Sequence, residues 1–294
     1  MGDRIRAGMA TYPGRFHTLP LVLESICWQV DELVLYVNDG NVDGLQLDKY
    51  PNLTVVDGSR KLGNISARGK LMGAAGNDEG IYLCLDDDFI YPSDYIDWVK
   101  TWLGRLGREC VVGFHASILP SFPRWYFDRT FTQRAVDRGE AVEPVNLLGS
   151  ATVAFRLEDL DVSPFLMREV TQVDLDISWG ALEKGLPLFS LPRRQGWIQS
   201  IEHDGLWEMN KSRISHHSHE ARVRDLSWSH IADVIRKWME RSSYTHEDLS
   251  GLGFSQEVSS SLLTNNPPRK WREDASAIRR RREYFNLLDS DDSK

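Results

Sequence analysis

Short apolar runs alternate with amphipathic segments from residue 4 to residue 85. A short unbroken apolar run predicts a strand that is buried on both faces, and apolar residues spaced three or four apart predict a helix. The predicted strands are 4–10, 33–37, 53–56 and 81–85, and the predicted helices between them are 16–30 and 65–75. Strands that alternate with helices favour a mainly parallel sheet, so we predict an α/β fold.

The pattern becomes less regular after Pro92. The elements predicted beyond it are a helix over 94–106, a strand over 111–114, a helix that follows 173–178 and ends at Lys184, and a strand over 186–191. Residues 145–155 predict a turn that enters a strand, with small residues that would let a ligand approach. Residues 115–145 show little periodicity and carry many aromatic and basic side chains. A long segment of this kind is typical of a binding loop or a lid.

The chain beyond about residue 205 has a different character. Residues 223–241 predict an amphipathic helix, residues 242–268 are loop-like, and residues 269–288 predict a final helix. We therefore predict one domain over 1–205, followed by a mainly helical extension over 206–294.

Composition narrows the classes of protein to consider. The chain has 294 residues, a net charge of −8 and a pI near 5.5, which argues against a nucleic-acid partner. Its three cysteines, Cys27, Cys84 and Cys110, are too scattered for a disulfide framework and suit a reducing cytoplasm. No signal-peptide core and no apolar run long enough to span a membrane is present, so we expect a cytoplasmic protein.

Three adjacent carboxylates, Asp86, Asp87 and Asp88, follow the predicted strand 81–85 directly. Like charges at the end of a buried strand repel one another, so a cation is expected to compensate them, and a divalent metal is the simplest candidate. Oxygen ligands suit Mg²⁺ or Mn²⁺. The alternative is a solvated acidic turn.

Polar residues also follow the other predicted strands. They are Thr11 and Arg15 after the first strand, Asn38 and Asp39 after the second, and Asp57 after the third. Ligands of open α/β sheets collect at the carboxyl ends of the strands, so a composite site is expected along one edge. The chain has neither G-x-G-x-x-G after the first strand nor G-x-x-x-x-G-K-[ST], which argues against a dinucleotide fold and a P-loop enzyme.

Five short motifs occur in a fixed order along residues 9–185. They are Met9-Ala10-Thr11-Tyr12-Pro13-Gly14-Arg15, Val37-Asn38-Asp39-Gly40, Gly63 with Ala67-Arg68-Gly69, Leu85-Asp86-Asp87-Asp88, and Asp174-Leu175-Asp176 followed by a helix and Gly185. With these motifs the chain resembles a nucleotide-sugar-dependent glycosyltransferase of the GT-A fold. It is most similar to the large inverting family that builds bacterial polysaccharides, and the resemblance covers about residues 4–200.

The resemblance implies a role for each motif. The residues expected to bind the donor nucleotide are Thr11, Tyr12, Arg15, Asn38, Asp39, Arg68, Asp86 and Asp87. The metal, Mn²⁺ or Mg²⁺, is expected on Asp86 and Asp88, with His217 as a candidate third ligand. Asp174, with Asp176 as the second candidate, is expected to be the catalytic base that takes the proton of the acceptor hydroxyl.

Simpler explanations stay open for several of these residues. Asp174 and Asp176 are also favoured at the N-terminus of a helix by its dipole. Arg15 and Arg68 are also compatible with solvated surface charges. The histidines at 203, 216, 217 and 219 are also compatible with a polar loop.

The implied fold is a GT-A, Rossmann-like sheet with a nucleotide half over about 1–92 and an acceptor half over about 93–205. The implied reaction moves a sugar from a nucleoside diphosphate donor, expected to be a UDP-sugar, to a hydroxyl of a carbohydrate or lipid-linked glycan acceptor. We expect inversion at the anomeric carbon and a role in bacterial surface polysaccharide or glycoconjugate synthesis. Peripheral contact with the inner face of the membrane, through the arginine run 279–282, and a homo-oligomer are left open.

Three other functions are compatible with the same features. A retaining transferase would keep the metal site without needing Asp174 as a base. A sugar-phosphate nucleotidyltransferase would need a glycine-rich basic loop after the first strand, where residues 11–15 contain one glycine. A non-catalytic carbohydrate-binding protein would keep the fold without the reaction.

Overall fold

A mixed β-sheet, seen in a computed structural model, forms the centre of the protein. The structure describes residues 3–40, 42–43, 45–121, 123, 128–166, 172–201 and 226–273. The strands are β1 (Ile5–Thr11), β2 (Glu32–Val37), β3 (Leu53–Asp57), β4 (Ile81–Asp86), β5 (Phe89–Ile90), β6 (Val111–Gly113), β7 (Ala116–Ile118), β8 (Phe131–Gln133), β9 (Glu143–Val145), β10 (Leu147–Leu148), β11 (Ala154–Arg156), β12 (Leu188–Ser190) and β13 (Gln199–Ser200). The helices are α1 (Leu19–Ile26), α2 (Tyr95–Leu106), α3 (Ser163–Leu166), α4 (Val173–Glu183), α5 (Trp228–Arg241), α6 (Asp248–Gly251) and α7 (Gln256–Thr264).

Within the described residues, the central sheet has eight strands in the order β3-β2-β1-β4-β11-β6-β12-β9. The first four are mutually parallel, β11 is antiparallel to its neighbours β4 and β6, and β12 is parallel to β6. β9 closes the edge in the antiparallel direction. Because six of these strands run the same way, their carboxyl ends share one edge of the sheet, which confirms the predicted α/β fold.

The four apolar runs of the sequence form β1 to β4. In β4, every side chain from Ile81 to Leu85 is at most 1% exposed, because helices or loops cover both faces of this central strand. The amphipathic segment 16–30 folds as α1 between two short 3₁₀ turns. Helix α2 buries its apolar stripe, including Trp102, against the same core.

The helix predicted over 65–75 is shorter in the structure and is of the 3₁₀ type. A 3₁₀ helix spans Ser66–Leu71 and lies close against the sheet, because glycines remove the side chains that would separate the two layers. A Cβ on Gly8 of β1 would lie 1.9 Å from the carbonyl oxygen of Lys70, and a Cβ on Gly69 would lie 2.7 Å from the Tyr36 side chain. This close approach places Lys70 directly beside the end of the sheet.

Two segments predicted to be irregular contain regular structure. The stretch 115–145 includes β7, β8 and β9, whose three-residue length is too short for a periodic signal in the sequence. The loop predicted over 242–268 includes α6 and α7, and α7 begins at a Ser255 cap whose hydroxyl accepts from the Val258 N–H. Of the helix predicted over 269–288, residues 269–271 form a 3₁₀ turn and residues 274–288 lie outside the described residues.

The described C-terminal helices pack on the second half of the sheet. Trp238 of α5 is fully buried, its ring centroid lies 5.2 Å from that of Phe189 in β12, and its Nε1 donates to the Arg108 carbonyl at 3.0 Å. No helix in the described part of the chain has the length and apolar character needed to cross a membrane.

Candidate active site

The carboxyl ends of β1, β2 and β4 bring the predicted site residues to one edge of the sheet. Ala10 of β1 is in register with Tyr36 of β2 on one side and with Asp86 of β4 on the other. The loops that follow these three positions therefore begin side by side. Thr11, Asn38 and the aspartate triplet are brought together in this way, as the sequence predicts.

The aspartate triplet forms a tight turn between β4 and β5. Tyr91 holds this turn, because its hydroxyl accepts from the Asp86 N–H at 2.8 Å and donates to the Ala151 carbonyl at 3.0 Å. The phenol is fully buried, so this anchor is shielded from water. The turn is thereby tied to the segment that precedes β11.

Two buried cations contact the triplet. The Lys70 ammonium contacts Asp86, and it also donates to the Ser150 hydroxyl at 3.3 Å. The Arg15 Nη2 lies 3.5 Å from the Asp88 Oδ2. Lys70 and Arg15 are 4% and 6% exposed, so both charges act in a low dielectric, where they are strong.

These cations do not fully offset the crowding of the carboxylates. Burial raises the pKa of Asp87 to about 6, and repulsion from Asp86 adds to the rise. Burial, followed by repulsion from Asp86 and Asp87, raises the pKa of Asp88 to about 7. Burial alone would lower the pKa of Lys70, but the charge of Asp86 holds it above its usual value.

The donor set of this turn suits a divalent cation. Its carboxylates are crowded, the pKa values of Asp87 and Asp88 are raised, and Asp87 keeps a buried Oδ2 without a hydrogen-bond partner. Among the described residues, no three His, Cys, Asp or Glu side chains converge as a complete metal cage. Mg²⁺ is usually held by one or two carboxylates together with the phosphates of a substrate, and the triplet provides that number.

The raised pKa values predict that the metal-free protein loses stability as the pH rises. The folded state binds protons at Asp87 and Asp88 that the unfolded chain, with a free value of 3.8, has already released. The stability gained in this way is complete below about pH 4 and is lost as the pH passes through 6 and 7. Urea unfolding in EDTA should show a fall on the order of 2–4 kcal/mol between pH 4.5 and pH 8.

Asp88→Asn removes one of the two titrating groups and serves as the reference for this pH profile. Its free energy of unfolding should depend less steeply on pH over the same interval. Identical slopes in the two proteins would show that the triplet is not the source of the effect.

Asp174 lies on α4 and faces the aspartate turn. Both candidate bases, Asp174 and Asp176, stand in the first helical turn of α4. The Oδ1 of Asp174 accepts from the Ser150 N–H at 2.8 Å, and the charge of this carboxylate contributes to the raised pKa of Lys70. Asp174, Ser150, Lys70 and Asp86 thus form one polar cluster between the two halves of the sheet. Asp176 is 7% exposed and is the more deeply buried of the two acids.

The other residues predicted to bind the nucleotide lie along the same edge. Asn38 is buried, and its side chain accepts from the Ile65 and Ser66 N–H groups at 3.0 and 3.1 Å and donates to the Thr11 carbonyl at 3.3 Å. This amide therefore joins the end of β1 to the start of the 3₁₀ helix. Contact between the Asn38 side chain and the nucleotide stays a prediction.

The remaining predicted side chains are more open to solvent. Asp39 is exposed, has a positive φ of 51° and accepts a hydrogen bond from Asn64. Tyr12 is half-buried, and its ring lies against Gly14. Arg68 is half-buried, and its Nε donates to the Ile65 carbonyl at 3.3 Å.

His217 lies outside the described residues, as do His203, His216 and His219. The described chain returns to the site just before them, since the Ile201 N–H donates to the Asp88 carbonyl at 2.8 Å. The role of His217 as a metal ligand stays a prediction.

Three residues in or beside the cluster were not predicted as site residues: Lys70, Ser150 and His115. Lys70 stands in a stretch that has helical spacing, which gives no sign that its ammonium points into the sheet edge. His115 lies against Gly149, and burial lowers its pKa while the charge of Asp174 works in the opposite direction. The small residues around Ser150 were the available signal, because they allow a close approach of other groups.

No protein-family model and no curated protein matches the chain by sequence. Its structure is similar to that of GalNAc-T7, solved with UDP, GalNAc and Mn²⁺, with a TM-score of 0.51 and 13% identity. That match covers 97% of this chain and 54% of the other, so the chain spans about half the length of GalNAc-T7.

A second similar structure is that of S. aureus TarS, residues 1–349, solved with UDP-GlcNAc. The match has a TM-score of 0.48 and 13% identity, and it covers 89% of this chain and 71% of the other. The sheet topology and the likeness to GalNAc-T7 together show that this chain has the GT-A fold.

Proposed function

We propose that the protein is a metal-dependent glycosyltransferase that moves a sugar from a nucleoside diphosphate donor, preferably a UDP-sugar, to a hydroxyl of a carbohydrate or lipid-linked glycan. The observation that carries this proposal is the cluster at the carboxyl edge of the sheet. Three crowded carboxylates there prefer to bind a cation, and Asp174, an acid on a different element, faces them through Ser150 and Lys70.

In this proposal, Asp86 and Asp88 would hold Mn²⁺ or Mg²⁺, with His217 as a further candidate ligand, and Asp87 would contact the donor beside them. The metal, when bound, acts as a Lewis acid that offsets the charge of the departing diphosphate. Arg15 adds positive charge beside Asp88, and Lys70 keeps Asp86 in place. Tyr12 and Asp39 stand on loops that border this edge, and Arg68 stands on the 3₁₀ helix Ser66–Leu71. All three are proposed to contact the nucleotide.

Asp174 is the proposed base because it reaches the cluster and is less buried than Asp176. As the acceptor hydroxyl attacks the anomeric carbon, the bond from that carbon to the diphosphate breaks. The hydroxyl proton passes to the Asp174 carboxylate, and one direct displacement inverts the configuration. The NMR signature of the product's anomeric proton distinguishes this route from a retaining one.

The loop after β1 argues against a nucleotidyltransferase. Pro13–Arg15 forms a 3₁₀ turn with a buried arginine, and a Cβ on Gly14 would meet the Tyr12 ring at 2.5 Å. A compact turn of this kind lacks the open run of backbone N–H groups that a glycine-rich phosphate loop presents. Release of pyrophosphate on turnover would reverse this conclusion.

We further propose that the reaction serves bacterial surface polysaccharide or glycoconjugate synthesis, at the cytoplasmic side of the membrane. The net charge of −8 supports a partner other than nucleic acid.

Thermal unfolding with UDP, GDP or ADP, each with and without Mn²⁺, tests the donor site. UDP at 100 times its Kd should stabilise the protein by ~2.7 kcal/mol in the presence of Mn²⁺, because it binds only the folded state. Without Mn²⁺ the shift in Tm should be small. Equal shifts with and without the metal would contradict a metal-bridged diphosphate.

Asp174→Asn should reduce kcat by ~10²–10⁴-fold, which is the usual contribution of a general base. The UDP–Mn²⁺ shift in Tm should be unchanged, because the donor site keeps all its proposed ligands. Asp176→Asn is the matched variant from the same helical turn. If only Asp176→Asn loses turnover, the base assignment moves to Asp176.

A further inference from the structure

A pocket opens along the same edge of the sheet, away from the aspartate turn. It has a volume of about 570 Å³, and the side chains that matter for its chemistry are Trp98, Arg138, Glu140, Arg193, Arg194 and Gln195. None of them belongs to the cluster around Asp86. The proposed function therefore leaves this pocket without a role.

The topology places the pocket within reach of a large substrate at the main site. Residues 193–195 begin three positions after the last residue of β12. This strand runs in the same direction as β4 and lies three positions away from it in the sheet. Neighbouring strands are ~4.8 Å apart, so the two strand ends are separated by ~14 Å. That distance is too long for the diphosphate of a donor bound at Asp88 and suits a neighbouring unit of an extended acceptor.

The pocket carries an excess of positive charge. Arg138 lies 3.4 Å from Glu140, and Arg194 is exposed and forms no ion pair with the described residues. Arg193 is 5% exposed and is surrounded by carbonyl oxygens rather than carboxylates. Burial lowers the pKa of Arg193 to about 10, so the group stays charged at neutral pH.

Hydrogen bonds hold the walls of the pocket in place. The Arg193 guanidinium donates to the Arg134 carbonyl at 2.7 Å and to the Leu191 carbonyl at 2.9 Å. The Trp98 Nε1 donates to the Pro192 carbonyl at 2.8 Å. A site that is already ordered loses little conformational entropy when a ligand binds.

Trp98 provides a rigid aromatic wall. Its ring centroid lies 6.1 Å from that of Trp102 and 6.1 Å from that of Trp197, so neighbours fix its orientation, while part of the side chain stays accessible. A flat apolar face beside polar groups suits a sugar ring, which has C–H faces and hydroxyl edges. The Gln195 side chain accepts from the Arg138 N–H at 2.9 Å and lies at the polar rim.

We propose that this pocket is an outer acceptor subsite for a saccharide unit that carries a phosphate or carboxylate group, and this proposal rests on the proposed transferase function. Arg138 and Arg194 bind the anionic group, since a guanidinium fork matches the geometry of both anions. Trp98 contacts the face of the sugar. The preferred acceptor is therefore an acidic or phosphorylated glycan rather than a neutral one.

Isothermal titration of the full chain with small saccharides tests the subsite. The probes are a galacturonic acid trisaccharide, glucose 6-phosphate and neutral maltotriose, each in the presence of UDP and Mn²⁺ so that the main site is filled. One of the two anionic probes should bind at least ten times more tightly than maltotriose. The probe that binds identifies the anionic group as a carboxylate or as a phosphate.

Arg138→Gln/Arg194→Gln should weaken that binding at least tenfold. The control is Arg4→Gln/Arg108→Gln, which removes the same amount of charge at the opposite, amino edge of the sheet. Both arginines are exposed there and form surface ion pairs, so this variant should bind the saccharide as tightly as the original protein. An equal loss in both double variants, or equal binding of anionic and neutral probes, would overturn the subsite.

The two proposals fail in different ways. If UDP and Mn²⁺ bind but neither anionic saccharide does, the subsite alone is wrong. If an anionic saccharide binds and UDP with Mn²⁺ does not, the transferase function is wrong and the pocket is an anion site of another kind, which overturns its assignment as an acceptor subsite.

Discussion

Asp88→Asn is expected to abolish metal-dependent stabilisation by UDP and to lower kcat/KM by ~10³-fold. Asp88 is the carboxylate with the most strongly raised pKa, and Asp86 is already in contact with Lys70, so Asp88 is the ligand that a cation would relieve most. Loss of a metal-bound leaving group costs several kcal/mol of transition-state stabilisation, and ~4 kcal/mol corresponds to a factor of ~10³. The measurements are Tm with UDP and Mn²⁺, and steady-state turnover.

At pH 8 without metal, the free energy of unfolding of Asp88→Asn should be at least as high as that of the original protein. Removing a carboxylate that is disfavoured as an anion relieves repulsion from Asp86 and Asp87. This second readout separates a lost ligand from a damaged fold. Asp48→Asn, an exposed change in the loop before β3, should alter neither quantity, and full UDP–Mn²⁺ stabilisation in Asp88→Asn would refute the metal assignment.

His217→Ala belongs in the same series. A loss of Mn²⁺-dependent stabilisation similar to that of Asp88→Asn would assign His217 as a ligand, and an unchanged shift would remove it from the site.

Lys70→Met is expected to lower the free energy of unfolding by ~3 kcal/mol at pH 8. The ammonium is buried between Asp86 and Ser150, and removing one partner of a buried pair typically costs 3–5 kcal/mol because the other charge is left uncompensated. The lower end applies because the Asp86 side chain is 28% exposed. Urea unfolding measures the change.

A double-mutant cycle isolates the ion pair in this loss. Lys70→Met/Asp86→Asn removes both charges and should recover much of the stability that Lys70→Met loses. Lys70→Arg keeps the charge but needs more room in a closely packed layer, so it should recover less. A loss below ~1 kcal/mol in Lys70→Met, or no recovery in the double variant, would show that Lys70 is not the partner that Asp86 depends on.

The strands β1 to β4 were predicted from local patterns of apolar residues. The runs that form β1 to β4 are continuous and apolar because each strand is buried on both faces, and this kind of burial shows directly in consecutive residues. Other elements were not predicted because they are short or lack a periodic pattern. β7, β8 and β9 are three residues long, and α7 is recognisable mainly from the Ser255 cap.

The candidate site was predictable only in part. Asp86, Asp87 and Asp88 are adjacent in sequence and follow a buried strand, so the amino-acid order alone shows that they are crowded. The position of Lys70 is different, because it depends on the missing side chain of Gly8, 62 positions earlier in the chain, and on a 3₁₀ helix in place of an α-helix. The contacts of Asn38 could not be predicted either, since its side-chain amide forms hydrogen bonds with backbone groups from two other segments of the chain.

The sequence by itself determined the parallel strands, the polar loops at their ends and the acidic turn that follows β4, because periodicity and adjacent like charges are local properties. The tertiary structure decided which cation meets Asp86, which of the two acids on α4 reaches the cluster and how the arginines around Arg193 enclose a pocket. Those outcomes depend on contacts between residues far apart in the chain, and such contacts form only where packing brings the backbones close enough for the side chains to meet.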